Sequence, residues 1–392
     1  LERAIKLSFY MEPPLFEPSK LKSIQWLKGN LTEKEAKALI QKAFYIKNRE
    51  GKVSFKEQIN EDLELYWERN LNPNFYMAYL KFNPKSNKLT LRVGLAGNQV
   101  QNRERLSDIC ARLNAIGGIN GGFFKADGDP VGALMIDGFL ISEPFQNRGC
   151  FGWNEKGDFI FGRVSWEGML ETQSGIVLSI DGLNRKPSGE EIIIYTPFYG
   201  EYLKLETETK IAIIRNWKVT EIKNGHQEFI PQDGFIVVGY GEKEREIESL
   251  RIGEQVSLKA YLIPEKKDTK WRKITFLIQG GPMLIENGEI VNQDEGFSEE
   301  LLNKKHPRTI IGETQDGKLL LMVVDGRNPI RGEGLTIEEL KTILKKLKLK
   351  NALNLDGGGS TTLYLKGKLY NMPSDGKERE ISYALVILNR KR

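Results

Sequence analysis

Lys318-Leu319-Leu320-Leu321-Met322-Val323-Val324-Asp325 and, further on, Ala352-Leu353-Asn354-Leu355-Asp356-Gly357-Gly358-Gly359-Ser360-Thr361 decide how this chain reads. Each begins as an apolar run closing on an aspartate, the pattern of a strand buried on both faces. Between them, residues 336–348 put Ile337, Leu340, Ile343, Leu344 and Leu347 on one helical face, and Thr336 with Glu339 makes a capping box. Strand, helix and strand in succession predict a βαβ unit with two parallel strands. Parallel strands bring their carboxyl ends to one sheet edge, where ligands bind. With the strands adjacent and the crossover right-handed, Asp325 and Asp356 are expected to face one cleft.

Upstream of this unit the chain reads mainly as strands and turns. Residues 107–114 suggest a short helix with Ser107 as its cap, followed by a strand closing on Asn120-Gly121-Gly122. Residues 75–82 and 88–93 alternate around the polar turn Asn83-Pro84-Lys85-Ser86-Asn87, which predicts a hairpin. Strand signals recur at 191–195, 210–214, 235–238, 256–262 and 274–278. The first 74 residues differ in texture, with Thr32 and Glu35 capping a helix through Tyr45. The expected fold class is α+β: a β-rich mixed-sheet core with the βαβ unit near the C-terminus. Residues 1–74 form a partly helical N-terminal extension, and residues 75–392 form the main domain.

The glycines Gly357, Gly358 and Gly359 allow a backbone to approach a ligand closely and aim its amides at an anion. Ser360 and Thr361 add hydroxyl donors. A phosphate loop of the Walker type needs a lysine before the Ser/Thr, and none is present, so a nucleotide-triphosphate role is excluded. Arg308, Arg327 and Arg379 lie near the glycine-rich turns, and arginine grips phosphate or carboxylate with a bidentate fork. Phe123, after Asn120-Gly121-Gly122, offers a face for stacking on a sugar. The plainer reading of each Asp-Gly pair is a turn, and of each arginine a solvated surface charge.

Composition narrows the classes further. The 392 residues are 40 % hydrophobic and 28 % charged, enough for a sizeable core and unlike a disordered chain. A net charge of +5 arises from 58 basic and 53 acidic residues scattered along the sequence. The one basic tract, residues 341–350, reads as a solvated helix face, so no nucleic-acid partner is expected. The two cysteines, Cys110 and Cys150, either form one bond or stay as buried thiols. Two histidines, His226 and His306, cannot build a His-rich metal centre, and no long apolar run spans a membrane. The chain starts at Leu1, which suggests a mature or trimmed form and an exported or envelope-associated location.

Taken in order, Asn120-Gly121-Gly122-Phe123-Phe124, Gly280-Gly281-Pro282-Met283-Leu284, Pro307-Arg308-Thr309 with Ile311-Gly312, Asp325-Gly326-Arg327, the Leu355–Thr361 turn, and Asn371-Met372-Pro373-Ser374 with Glu378-Arg379 form a series. It resembles the phosphodiester glycosidase domain, from about residue 75 to residue 390. Each motif alone is weak; the ordered set is specific. The resemblance implies hydrolysis of a sugar-1-phosphodiester at the sugar C1–O bond. It points to Asn120, Arg308, Asp325, Arg327, Asp356, Ser360, Thr361 and Arg379 as the site. On that reading Asp356 is the leading nucleophile or base and Asp325 its partner, since an oxocarbenium-like transition state wants a carboxylate beside C1. The expected partner is a carbohydrate or glycosyl-phosphate substrate, with no cofactor required. Two alternatives stand beside it: a metal-dependent phosphodiesterase holding Mg²⁺ or Ca²⁺ between Asp325 and Asp356, and a glycan-binding protein without turnover.

Overall fold

The computed structural model describes residues 52–390, apart from residues 72, 329 and 330. The helix expected through Tyr45 lies outside them. Three antiparallel strands, β1 (Lys52–Asn60), β2 (Leu63–Leu71) and β3 (Asn74–Phe82), open an eight-stranded sheet, so that sheet already includes residues before 75. β4 (Leu89–Leu95) does not return along β3. It joins a second, five-stranded sheet with β5 (Gly117–Asn120), so the expected hairpin is instead a corner between two sheets. The polar turn serves as that corner: the Asp62 carboxylate accepts from Asn83 and Ser86, each at 2.6 Å.

Helix α1 (Leu106–Leu113) packs on the outer face of this second sheet through Leu106, Ile109 and Cys110. Arg105, not Ser107, precedes its first turn, and the Ser107 amide donates to the Glu378 carboxylate at 2.9 Å. The middle section is β-rich, as its strand signals suggested, and its pairs are antiparallel except for the short parallel pair of Gly182–Leu183 with Ile193–Ile194. A seven-stranded sheet includes β6 (Phe276–Gln279), and a five-stranded sheet spans residues 182–239. Both cysteines are free and buried.

The eight-stranded sheet is completed by β7 (Met283–Glu286), β8 (Arg308–Thr314), β9 (Leu319–Val324), β10 (Leu349–Asn354) and the two-residue edge strand Glu289–Ile290 beside β7. Helix α2 (Ile337–Lys346) links β9 to β10 and carries the expected capping box. Its Leu340 and Leu344 bury against Met77, Ile310, Met322 and Ala352 on one face of the sheet. β9 and β10 run the same way but are not neighbours. The strand order β3-β9-β8-β10-β7 puts β8 between them, antiparallel to both. The βαβ unit is therefore split, and the sheet is antiparallel where a parallel pair was expected. The reason is local: β8 and β9 are joined by the tight turn Gln315-Asp316-Gly317-Lys318, and a hairpin neighbour takes the hydrogen-bonding edge before the helical crossover returns.

The split still serves a site. With β8 reversed, the start of β8 lies beside the ends of β9 and β10, through the pairs Arg308↔Val324 and Ile310↔Asn354. On the second sheet, β11 (Leu363–Leu365) and β12 (Tyr383–Asn389) start opposite the end of β5, through Leu363↔Ile119 and Ala384↔Asn120. The two sheets share one core, including Leu80, Ile119, Phe151, Ile311, Leu353 and Leu385. Their functional ends thus meet along one edge.

Candidate active site

Asn120 ties the two sheets together at this edge. Its side chain is 1 % exposed. Its Nδ2 donates to the Asp356 carbonyl at 2.8 Å, and its Oδ1 accepts from Thr309 Oγ1 at 2.8 Å and the Thr362 amide at 3.2 Å. Thr309 Oγ1 also lies 3.3 Å from Thr361 Oγ1. Asn120 and Thr361, both buried, therefore set the backbone around Asp356.

Asp356 is the reactive-looking carboxyl of the group. Burial pushes its pKa up to about 6, against the pull of the Ser360 hydroxyl, the Arg379 charge and the Gly357 amide. Ser360 Oγ is buried beside it without a well-formed hydrogen bond. Three amides of the glycine-rich turn are used within the protein: Gly358 donates to the Pro307 carbonyl, Ser360 to that of Gly357 and Thr361 to that of Gly358. The turn thus acts less as an amide cradle than as cleared ground. Gly358 has φ +58°, and a Cβ there would stand 3.2 Å from an Arg327 nitrogen. A Cβ on Gly359 would collide with Arg379 and Asp375. One guanidinium thus leans on each of two neighbouring glycines.

The three expected arginines have different surroundings. Arg308 is 2 % exposed, and its guanidinium donates to the carbonyls of Leu335, Leu301 and Lys304 at 2.7–3.0 Å. Burial lowers its pKa to about 10. Its charge is committed to holding the 301–308 segment. Arg327 is exposed, has φ +57°, and donates through Nη2 to His306 Nδ1 at 3.2 Å. His306 Nε2 lies 3.1 Å from the Glu300 carbonyl, which can only accept, so Nδ1 is the bare nitrogen of a neutral ring. Arg379 is half-exposed and paired with Asp375 at 2.7 Å.

Asp325 is not an open carboxylate. It is 1 % exposed, and Arg331 Nε donates to it at 2.5 Å. The Met372 amide and Asn371 Nδ2 take up the remaining acceptor sites at 3.0–3.2 Å. Arg331 also lies 3.9 Å above the Tyr76 ring, and Asn371 Nδ2 reaches the Thr361 carbonyl at 2.9 Å. Burial raises the Asp325 pKa while Arg331 and the Met372 amide pull it back. A divalent cation shared by Asp325 and Asp356 would have to displace Arg331, so this donor set does not fit the ion. Among the described residues, no group of three His, Cys, Asp or Glu side chains is placed to hold a metal.

Phe123 is partly exposed and packs on Phe297 with ring centroids 5.3 Å apart. Tyr383, buried, fills the space beside Gly121 and Gly122. Sequence reasoning gave no role to Arg331, His306, Asp375 or Tyr383. Asn371 stood in a quoted motif without a role, and Arg331 follows Asp325 in the same loop. Only their burial and pairing mark them.

Residues 208–388 match the model of the phosphodiester glycosidase family, which agrees with the resemblance carried by the motifs from Gly280 onward. Among curated relatives it is 31 % identical over 150 residues to mouse N-acetylglucosamine-1-phosphodiester alpha-N-acetylglucosaminidase, covering 37 % of this chain and 26 % of that one. The alignment thus spans about a quarter of the relative's length. A crystal structure of a hypothetical protein from Synechocystis superposes with TM-score 0.76 at 27 % identity, over 86 % of this chain and 64 % of that one. A putative exported protein from Burkholderia pseudomallei shares the fold, with TM-score 0.68 at 21 % identity over 80 % of this chain and 74 % of that one.

Proposed function

We propose that this chain is a hydrolase that cleaves the sugar C1–O bond of a sugar-1-phosphodiester. The observation that carries the reading is the placement of Arg327 and Arg379 against the glycines that follow Asp356. With a pKa near 6, Asp356 is mostly ionised at neutral pH, as a nucleophile or base beside C1 must be. A phosphate monoester leaves with a second pKa of about 6, so it needs neutralised charge more than a proton. The two guanidinium groups supply that, and they gain strength in a partly dry site. Asp325 acts at one remove: with Arg331 and Asn371 it fixes the loops that carry Arg327 and Thr361.

Hydrolysis of a sugar-1-phosphodiester in H₂¹⁸O tests the bond cleaved. The expected result is label in the sugar and none in the phosphate monoester. Label in the phosphate would show P–O cleavage and overturn the reading. No turnover across a panel of sugar-1-phosphodiesters would favour a binding protein.

A further inference from the structure

Beside Phe123 the aromatic surface continues as a shelf. Phe297 packs on Phe123, and its ring edge abuts Gly281, whose amide donates to the Asn354 carbonyl at 2.7 Å, next to the Asp356 turn. Over Phe297, at 4.0 Å, lies the Arg148 guanidinium, which is also 5.0 Å from the Phe145 ring. Arg148 is only partly exposed, and its Nε is buried without a hydrogen-bond partner. Among the described residues no carboxylate makes an ion pair with it. The acid nearest in effect, Glu295, already accepts from Arg163 through Oε1 and from the Gly149 amide through Oε2.

The loop that carries Arg148 is held in place. Gln279, 1 % exposed, accepts the Phe145 amide at 2.8 Å through Oε1 and donates to the Arg148 carbonyl at 3.2 Å. Gln279 ends β6, directly before Gly280-Gly281-Pro282. The shelf is thus pinned to the strand that borders the site. Past it lies an open groove of about 480 Å³ whose lining includes Gln146, Asn147 and Trp166. A cation lying over two phenyl rings, with no carboxylate in ion-pair contact among the described residues, is set up for an external oxyanion.

We propose that Arg148, stacked on Phe297 and Phe145, is a second anion subsite, and that the substrate is an extended glycosyl phosphate carrying a further phosphate or carboxylate away from the scissile bond. The proposal rests on the glycosidase reading above for the position of that bond. Phe123 and Phe297 then flank the part of the substrate that lies between the two charges.

The test compares substrates sharing one scissile sugar-1-phosphodiester. One leaving group carries a terminal phosphate, one a terminal carboxylate, and one an uncharged terminus of matched length. In the wild type the charged termini are expected to raise kcat/KM about tenfold or more over the neutral one, with phosphate and carboxylate ranking the two anions. In Arg148→Gln that ratio is expected to fall towards one, and in Phe145→Ala to fall partway. No advantage in the wild type, or an advantage that survives Arg148→Gln, would overturn the subsite. Calorimetric binding of the phosphate-terminated compound to Asp356→Asn, with and without Arg148→Gln, reads the subsite without turnover. Binding that depends on Arg148 supports it even where the bond proves uncleaved, and binding indifferent to Arg148 refutes it.

Discussion

Arg331 Nε sits 2.5 Å from Asp325 Oδ2, and both side chains are buried at the junction of the two sheets. The pair therefore belongs to the frame of the site. Removing one member leaves the other charged and dry. Asp325→Asn is expected to lower unfolding free energy by about 3–5 kcal/mol, the usual cost of stranding a buried partner. Urea melts measure it. A folded variant with wild-type stability and no activity would instead make Asp325 a reacting group.

Asp356→Asn should behave in the opposite way. Turnover is expected to drop by about a thousandfold or more, roughly 4 kcal/mol in the barrier. Folded Asp356 keeps its proton up to about pH 6, against 3.8 for the ordinary carboxyl. The folded state thus binds more protons through that window, and wild-type stability falls as pH rises from about 4 to 6. Asparagine stays neutral, so the variant should be the more stable at pH 8, on the order of 1 kcal/mol after solvent screening, with the gap closing below pH 4. Melting curves at the two pH values decide; an unchanged gap would show that Asp356 titrates normally.

The arginines should separate by substrate. Arg327→Ala and Arg379→Ala are each expected to lower kcat/KM for a phosphodiester about tenfold to a hundredfold, and much less for an aryl glycoside. Arg308→Ala should damage both substrates alike and lower the melting temperature, because its guanidinium holds three carbonyls. Equal losses for Arg327→Ala on both substrates would remove the leaving-group role.

Gly357→Val and Gly358→Val should both inactivate, for different reasons. At Gly358 the backbone has φ +58°, which costs a β-branched residue about 1–2 kcal/mol or more before it touches Arg327. At Gly357, φ is an ordinary −115°, and the obstacle is the Pro307 carbonyl, 2.6 Å from where Cβ would lie. Alanine at both positions should already reduce kcat; full activity in Gly357→Ala would show that the 307 loop yields freely.

His306 gives a pH signature. Burial and the Arg308 and Arg327 charges hold its pKa below the usual 6.5, against the Glu300 carbonyl and carboxylate. The neutral ring accepts from Arg327; a protonated ring repels it. That support is present above about pH 6.5 and is lost as pH falls through the lowered pKa. The phosphodiester should therefore lose rate more steeply in acid than an aryl glycoside does. An asparagine side chain keeps an acceptor that does not titrate, so His306→Asn should bring the two profiles together. Persistence of the difference would exclude His306 as its source.

Much of this was legible in the residues. The apolar run into Asp356 and the triple glycine located the edge of the sheet, and the Thr336–Glu339 box placed α2. The insertion of β8 between β9 and β10 was not legible, because strand, helix and strand fix direction while long-range pairing fixes neighbours. The arginines misled for a related reason. Arg308 and Arg327 look alike in sequence, and only burial commits one to carbonyls and exposes the other. Arg148 had no local signal at all: its meaning comes from Phe297, on a distant loop.

Asn120 has a consequence for how the molecule is made. Its Oδ1 accepts from the amide of Thr362, 242 residues further along the chain. At about 5–20 residues per second, a ribosome needs on the order of 10–50 s to deliver that amide. Over that interval β5 lacks both of its sheet neighbours, β11 and β12, and of the Asn120 partners around Asp356 only Thr309 is made early, with Asp356 and Thr362 following at the end. The geometry around Asp356 is therefore complete only once the last strands emerge, and until then β5 presents unpaired edges.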